Sequence, residues 1–401
     1  MTPTPASRPP EPGRAVVGLV RCRSYRPEEV AEAVGRLLAG LEPLPLPRGG
    51  RVLLKPNCLS HSRSPEEEVN TRAEVVEAVG RYLQEHHGLS LVIADSAGAG
   101  SRGRTAQAFE KIGLTGVAER LGAELINPDQ GPGLMELESP LGLEIKRFQA
   151  TALLGQVEAV VNLPKMKTHL LTGLTGAVKN CLGLLPGGLK RSLHVVAPTG
   201  PQLSRALVDL YAAVRPSLNI LDAVVAMEGA GPNQGRPRPA GWLAASTDGV
   251  ALDLVAATMM GFNPESVETI RAAAAAGLGL ADRDKIDLQG AEWAELPLAG
   301  FKRPWSRAPG WLGLILPRRL TARALDWLTE ARPRLRPENC RLCGICVEAC
   351  PAGALSLGDG HLDFEAGRCI ECYCCLENCP SQGLWVPLGL RDKLLGRPPS
   401  R

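Results

Sequence analysis

Three things are scarce in this 401-residue chain. Aromatic side chains make up only 4% of it, although hydrophobic content is an ordinary 44%, and the formal net charge is only +3. A balance that close to zero implies no commitment to nucleic acid or to an anionic membrane surface. Long apolar runs are missing too: no stretch approaches the ~18 residues that would mark a transmembrane segment. The opening MTPTPASRPPEPGR carries five prolines and no apolar core. Residues 1–14 therefore read as a disordered lead and not as a signal peptide. With the thiolate clusters described next, the lack of an export signal points to a reducing cytoplasm, and the length suggests two or three domains.

Cysteine, by contrast, is concentrated. Nine of the twelve cysteines fall between Cys340 and Pro380. Cys340, Cys343, Cys346 and Cys350 follow C-x2-C-x2-C-x3-C with Pro351 next, and Cys369, Cys372, Cys375 and Cys379 repeat the spacing before Pro380. In this bacterial ferredoxin run three close thiolates hold one cubane and the fourth ligates the other. The spacing thus assigns Cys379 to the set of Cys340, Cys343 and Cys346, and Cys350 to the set of Cys369, Cys372 and Cys375. Two [4Fe–4S] clusters are expected, with metal binding and folding as one event. Zinc sites usually close with two ligand pairs, and disulfides need an oxidising compartment, so neither alternative matches the pattern. Cys374 is an extra thiol inside C-Y-C-C. The segments ALSL and HLDF around Gly358–Gly360 read as a covering hairpin. Residues 338–390 form a small α+β ferredoxin-like domain on this reading.

Upstream, residues 15–299 alternate strand and helix signals. Buried strands are expected at Ala15–Cys22, Arg51–Lys55, Ser90–Ala94, Glu124–Asn127, Val157–Leu163 and Leu218–Met227, with a further strand at Trp242–Ser246. Helices are expected at Arg26–Leu41, Arg72–His86, Thr105–Ile112, Val250–Met260 and Ala272–Leu280. Thr71 with Glu74 reads as a capping box for the second helix. Such alternation predicts an α/β domain with a largely parallel sheet flanked by helices. Residues 300–337, rich in Pro, Arg and Trp, read as a connector.

Ligands of parallel sheets bind beyond the carboxyl ends of the strands. Four such ends are polar here. Lys55-Pro56-Asn57 delivers a charge at a strand tip. Asp95-Ser96 opens a loop whose Gly98, Gly100 and Gly103 formally spell G-x-G-x-x-G, without the acid that a dinucleotide site wants at the next strand end. The densest end, Asn162 to His169, carries Lys165, Lys167 and His169. It leads into a glycine-rich stretch with Lys179, Asn180, Lys190, Arg191 and His194, read with a helix from Leu170. Asp222 and Asp253 follow in apolar context and need partners, lysines or a divalent cation. We expect an anion-binding site for phosphate or carboxylate built from Lys55, Asn57, Asp95, Ser96, Lys165, Lys167, His169, Lys179 and Asn180. Lys165, His169 and His194 are the catalytic candidates, the histidines as proton donors. His61, His86 and His87 read as solvated loop residues, and Cys22, Cys58 and Cys181 as core thiols.

With LLKPN, the D-S-x-G-x-G loop at Asp95, NLPKMKTH, TGLTGAVKNCLG, MEGAGP and STDGVALD, residues 15 to about 290 resemble the bacterial and archaeal family numbered 362 among domains of unknown function. Many of its members carry a C-terminal ferredoxin-like domain, which implies a redox-active iron–sulfur protein. The resemblance supplies architecture and no substrate. The expected function is an oxidoreductase that passes electrons from a soluble redox partner, through two clusters, to an anionic small molecule or a bound cofactor. Alternatives are an electron carrier or accessory subunit whose lysine-rich loops meet an acidic partner, and a non-redox enzyme with structural clusters. A flavin or a divalent metal is compatible with the chain, but no sequence feature demands either.

Overall fold

The computed structural model describes residues 13–98, 103–303 and 332–386. The expected disordered lead falls almost wholly outside these residues, as do most of the expected connector and residues 99–102 of the glycine loop.

Among the described residues, twelve strands and nine helices build the large domain. Strands β1 (Ala15–Arg21), β2 (Arg51–Pro56), β3 (Ser90–Ala94) and β4 (Glu124–Ile126) alternate with helices α1 (Pro27–Ala39), α2 (Ala73–His87), α3 (Thr105–Lys111) and α4 (Leu114–Leu121). A separate hairpin, β5 (Leu134–Glu138) with β6 (Arg147–Thr151), follows. Then come β7 (Ala159–Leu163), β8 (Lys165–His169), β9 (Gly173–Thr175), α5 (Ala177–Asn180), α6 (Leu189–Val196) and α7 (Gly200–Val214). The domain closes with β10 (Leu218–Glu228), β11 (Arg236–Ser246), α8 (Gly249–Met259), α9 (Glu268–Ala275) and β12 (Ile286–Gln289). The sheet order is β12-β1-β11-β10-β7-β2-β3-β4. It is largely parallel, and β11 runs antiparallel between β1 and β10.

Both faces of the sheet are covered, which is why its strands read as continuous apolar runs. Val52 and Leu54 of β2 pack with Val30 and Leu37 of α1 and Val76 and Leu83 of α2 on one face. On the other, Val17 and Leu221 meet Leu207, Leu210, Leu252, Val255 and Ile270 of α7, α8 and α9. Asp248 caps α8 by accepting from the Val250 and Ala251 N–H groups at 2.9 Å, as an N-cap carboxylate should.

Several local expectations change. The Thr71 hydroxyl caps nothing. It donates to the Leu163 carbonyl at 2.7 Å and accepts from Asn57 N–H at 2.8 Å, so it ties two strand ends together while α2 starts after Arg72 without a side-chain cap. Helix α9 begins at Glu268, not Ala272, and Gly277 at φ +72° ends its last turn. No helix runs from Leu170, because Gly173 at φ +81° turns the chain into the antiparallel β8–β9 pair. His86 and His87 close α2 instead of lying in a loop, with His87 Nε2 2.9 Å from Glu42.

The small domain comprises β13 (Arg334–Leu335), α10 (Ile345–Ala349), β14 (Leu355–Leu357), β15 (Leu362–Phe364), α11 (Cys374–Glu377) and β16 (Leu384–Trp385). The β14–β15 hairpin forms where ALSL and HLDF predict it. Left-handed backbone recurs at matching places in the two halves: Leu342 and Glu371 inside the first C-x2-C of each half, then Gly344 and Tyr373, then Gly353 and Gln382.

Candidate functional site between the two domains

Pro164 interrupts the strand that began as β7, and the chain resumes as β8 beside β10, with Lys165 opposite Asp222 and Lys167 opposite Met227. Strand periodicity then puts Lys165, Lys167 and His169 on one face and Met166 on the other, where it joins the apolar core. The three polar side chains therefore point at the loop after β2 and at the small domain.

Lys165 is wholly buried, and its ammonium donates at 2.7 Å to the Tyr25 hydroxyl, at 2.6 Å to Glu68 and at 2.9 Å to Asp222. An ammonium has three donors, so none is left for a ligand. Burial and the neighbouring Asp222 carboxylate push the Tyr25 phenol well above its usual range. Lys55 is likewise sealed. It pairs with Asp95 at 3.0 Å, and a side chain in place of Gly183 would overlap that pair. Asp95 also accepts from Cys58 N–H at 2.6 Å, and the Ser96 hydroxyl donates to the Gly183 carbonyl at 2.8 Å. Lys167 donates to Asn57 Oδ1 at 2.6 Å and to the Val69 carbonyl at 2.7 Å. Asn180 donates to Asn162 Oδ1 at 2.8 Å and, at 3.2 Å, to the Lys55 carbonyl. Lys165, Lys55, Asn57, Asp95 and Ser96 are thus part of a buried hydrogen-bonded frame, which corrects their reading as an open anion site and removes Lys165 from the catalytic candidates. Lys55, Lys165 and Lys167 are at most 1% exposed, so these three lysines present no charge at the surface. Asp253 is no cation ligand either, since it accepts from the Ala177 and Val178 N–H groups at 2.6 and 3.1 Å.

The remaining polar groups meet the small domain. His169 Nδ1 accepts from the Leu171 and Thr172 N–H groups at 3.2 and 3.3 Å. The ring proton is therefore on Nε2, 3.4 Å from Glu377 Oε1. Burial, aided by Lys179, His194 and Lys167, holds the His169 pKa well below the usual range, so the ring is neutral. Burial and Lys179 also lower His194, to about 4. Lys179 is partly buried and makes no hydrogen bond or ion pair among the described residues. Burial lowers its pKa, while Glu377 and Cys374 act against that shift. The approach of His169 aside, Glu377 Oε1 is buried with no hydrogen bond among the described residues.

Docking of the small domain is specific. Arg191 donates to the Glu348 carbonyl at the end of α10, while Gln234 and Asn233 donate to the Leu376 and Glu377 carbonyls at the end of α11. Large-domain side chains thus satisfy the carbonyls that short helices leave open at their C-termini. Leu170 and Leu171 pack into the small domain's apolar core.

Two cavities open inside the small domain. One, of about 20 Å³, is lined by Cys340, Cys343, Cys346 and Cys379. The other, of about 10 Å³, is lined by Cys350, Cys369, Cys372 and Cys375. The thiols repel one another's ionisation within these sets. Cys346, pushed up to about 11 by burial, also feels Cys379, Cys343 and Cys340. Cys375 is raised by burial and then by Cys372, Cys350 and Cys369. Four crowded thiols whose thiolates are mutually costly suit a cationic metal group. Among the described residues no three His, Cys, Asp or Glu side chains converge on a single-ion position. Backbone N–H groups also reach the sulfurs at equivalent places, Ala354 to Cys350 at 3.2 Å and Gly383 to Cys379 at 3.1 Å.

Comparison with known proteins fits this division. The family described as Domain of unknown function (DUF362) matches residues 52–258, and a 4Fe-4S dicluster domain matches residues 339–384. A thylakoid-associated protein of Synechocystis sp. is 35% identical over 272 residues, which cover 65% of this chain and 79% of the relative. The chain belongs to the DUF362 family. Its last part is also similar to a ferredoxin-like protein in the nif region of Azotobacter vinelandii, 43% identical over 35 residues, or 9% of this chain and 38% of that protein. Two solved structures share remote likeness. One is a Thermotoga maritima protein, with a TM-score of 0.38 and 16% identity over 64% of this chain and 60% of its own. The other is the lactate racemase apoprotein from Thermoanaerobacterium thermosaccharolyticum, with a TM-score of 0.37 and 13% identity over 59% and 55%. Neither is close enough to bear on function. The chain is an iron–sulfur protein, and no helix among its described residues is long and apolar enough to cross a membrane.

Of the candidates read from the sequence, His169, His194 and Lys179 are brought together with hydrogen-bonding capacity to spare. Glu377 joins them from the small domain. It lies inside the cysteine run, between Cys375 and Cys379, and no local pattern links it to a histidine more than 200 residues earlier. Tyr25 and Glu68 were missed for the same reason, since their partners are distant in sequence.

Proposed function

We propose that this DUF362 protein is an oxidoreductase with two [4Fe–4S] clusters, acting on an anionic small molecule held between the domains by Lys179, His169 and His194. Cys340, Cys343, Cys346 and Cys379 would hold one cluster, and Cys350, Cys369, Cys372 and Cys375 the other. When bound, the clusters would supply one-electron transfer from a soluble redox partner. The observation that carries the reading is that Lys179 makes no hydrogen bond or ion pair among the described residues, while Glu377 Oε1 is buried with only the His169 Nε2 approach at 3.4 Å; Lys179 feels the charge of Cys374, and Glu377 that of Cys372. The Lys179 ammonium would bind the anion. The His169 Nε2–H would orient it and donate a hydrogen bond, since Nδ1 is already engaged by backbone. Fixed docking through Arg191, Asn233 and Gln234 would exclude water from that side. We propose the cytoplasm as compartment, because thiolate-bound iron favours a reducing medium. The association named for the Synechocystis relative makes the membrane surface the outcome that cell fractionation must rule out.

A reductive titration of anaerobically purified protein tests the reading. Uptake of about two electrons per chain is expected from two centres of this type, with about eight irons. Uptake of one electron, or about four irons, would overturn the two-cluster assignment. Loss of phosphate or acetate binding in Lys179→Ala, measured by calorimetry, is expected, and unchanged binding would remove the proposed anion site.

A further inference from the structure

Among the described residues, three stretches of the large domain grip the small one, and each holds α10 or α11. Arg191 of α6 donates to the Glu348 carbonyl of α10. Asn233 and Gln234, between β10 and β11, donate to the Glu377 and Leu376 carbonyls of α11. At the end of β8, His169 Nε2 lies 3.4 Å from Glu377 Oε1, and Leu170 and Leu171 pack against the apolar cluster that contains Cys375 and Leu376. The two gripped helices are five and four residues long, far too short to hold themselves together in water. Their anchors are thiols. Helix α10 contains Cys346 and is followed by Cys350, while α11 contains Cys375 and is followed two residues on by Cys379. Cys346 and Cys379 line one cavity, Cys350 and Cys375 the other. Each helix is therefore tied to both iron–sulfur groups. The other support is a cluster of six buried side chains, and domains of this size lean on staples such as bound metal.

We infer that the small domain is a lid over the His169 end of the candidate site, and that it stays closed only while both iron–sulfur groups are in place. The inference deepens the two-cluster, interdomain-site reading above and rests on it. Loss of either group frees one thiol anchor of α10 and one of α11, so both helices slacken together. The carbonyls that Arg191, Asn233 and Gln234 hold then lose their fixed positions, and His169 Nε2 loses Glu377 and faces water. A chain missing either group thus presents an open, incomplete site in place of a closed one that lacks electrons. The fold needs no separate sensor for this. The crossed ligand sets make the lid report on both groups at once, because no gripped helix depends on one group alone. The step is a dissociation of metal from thiolates, and no electron is transferred in it.

Hydrogen exchange of the full-length protein tests this, with iron measured on every sample. Anaerobic, cluster-loaded protein is compared with the same protein stripped by a chelator, and with Cys343→Ala and Cys369→Ala. These two cysteines belong one to each set, and neither lies on α10 or α11. A cysteine variant that keeps its full iron is replaced by one that also lacks Cys340 or Cys372 of the same set. In all three altered forms, amides of β8 and β9 and of the stretch between β10 and β11 should exchange about tenfold faster or more, as a locally opened unit does, while β2 and β3 keep their rates. Asn233→Ala and Gln234→Ala in one chain leave every ligand in place and should give the same pattern with iron retained. Unchanged protection of β8 and β9 in stripped protein would overturn the lid. So would equal quickening of β2 and β3, which would make the molecule one folding unit. Release by only one cysteine variant would overturn the requirement for both groups. Loaded protein with only about four irons would overturn that requirement together with the two-cluster reading, and the stripped sample would still decide the lid. Protection that follows iron in protein that binds neither phosphate nor acetate would support the lid while removing the anion site.

Discussion

Lys165 and Lys179 come from the same basic, glycine-rich stretch, and the fold treats them in opposite ways. Lys165 lies in a strand, wholly buried, with every donor engaged by Tyr25, Glu68 and Asp222. Lys179 lies on a short helix at the domain boundary with none engaged among the described residues. The difference separates two uses of a buried charge. A complete set of partners makes it architecture, because removing any member leaves another uncompensated. A missing partner leaves a binding site.

The sharpest way to break that comparison is to remove Lys165. Lys165→Met leaves two buried carboxylates facing each other, and Glu68 is already raised by burial and by Asp222. Breaking a buried pair from one side costs roughly 3–5 kcal/mol, so urea unfolding of anaerobic protein should show a loss of that order. A loss below about 1 kcal/mol would mean that the site relaxes or admits water, and Lys165 would return as a candidate ligand residue.

Acid should sharpen the other half. His194 has a folded pKa of about 4 against 6.5 for the free side chain. Between those values the unfolded chain binds the proton and the folded chain does not, so stability falls as pH falls from 6.5 towards 4. The full shift corresponds to roughly 3 kcal/mol, and the 9% exposure of His194 trims that. Asp253, raised to about 7 by burial, works in the opposite direction. Its neutral form is favoured by the fold, so its contribution is lost as pH rises from 3.8 to 7. The wild-type profile alone therefore mixes two slopes. Subtracting the profile of His194→Asn isolates the histidine, and a difference that stays flat between pH 6.5 and 4 would show that His194 is not buried as a neutral ring.

The docking contacts come next in size. Asn233→Ala and Gln234→Ala each leave an α11 carbonyl without its donor, at a cost of about 1 kcal/mol apiece. Hydrogen exchange of α11 amides should quicken, while β2 and β3 of the large domain should not change. Uniform quickening would mean that the two domains unfold as one unit.

How much of this was legible beforehand follows from the range of each signal. The cysteine sets could be read because ligand spacing is local, and the α/β sheet because strands buried on both faces leave apolar runs. The strand K-M-K-T-H was also readable, since Met166 alternates with the polar residues, yet lysines in series look like a solvated loop. What the sequence hid was pairing at a distance: Tyr25 and Glu68 with Lys165, and Glu377 with His169. Nothing local distinguishes a lysine that will find three acceptors from one that will find none, because the partners arrive from other elements after folding. Thr71 shows the same limit, since its capping signal was real and the fold used its hydroxyl to join Leu163 and Asn57 instead.

The smallest stability effect carries the most functional weight. Lys179→Ala removes a cation that has no hydrogen bond to lose among the described residues and whose pKa burial already lowers. Its charge is a cost to the fold, partly offset by Glu377. Stability should therefore stay within about 0.5 kcal/mol of wild type, the range of substitutions that break no buried contact, even as anion binding disappears. A loss comparable to that of Lys165→Met would mean that Lys179 has an acceptor after all and belongs to the frame. The contrast between the two lysines would then be one of degree, and the search for the ligand site would move to His169 and Glu377 alone.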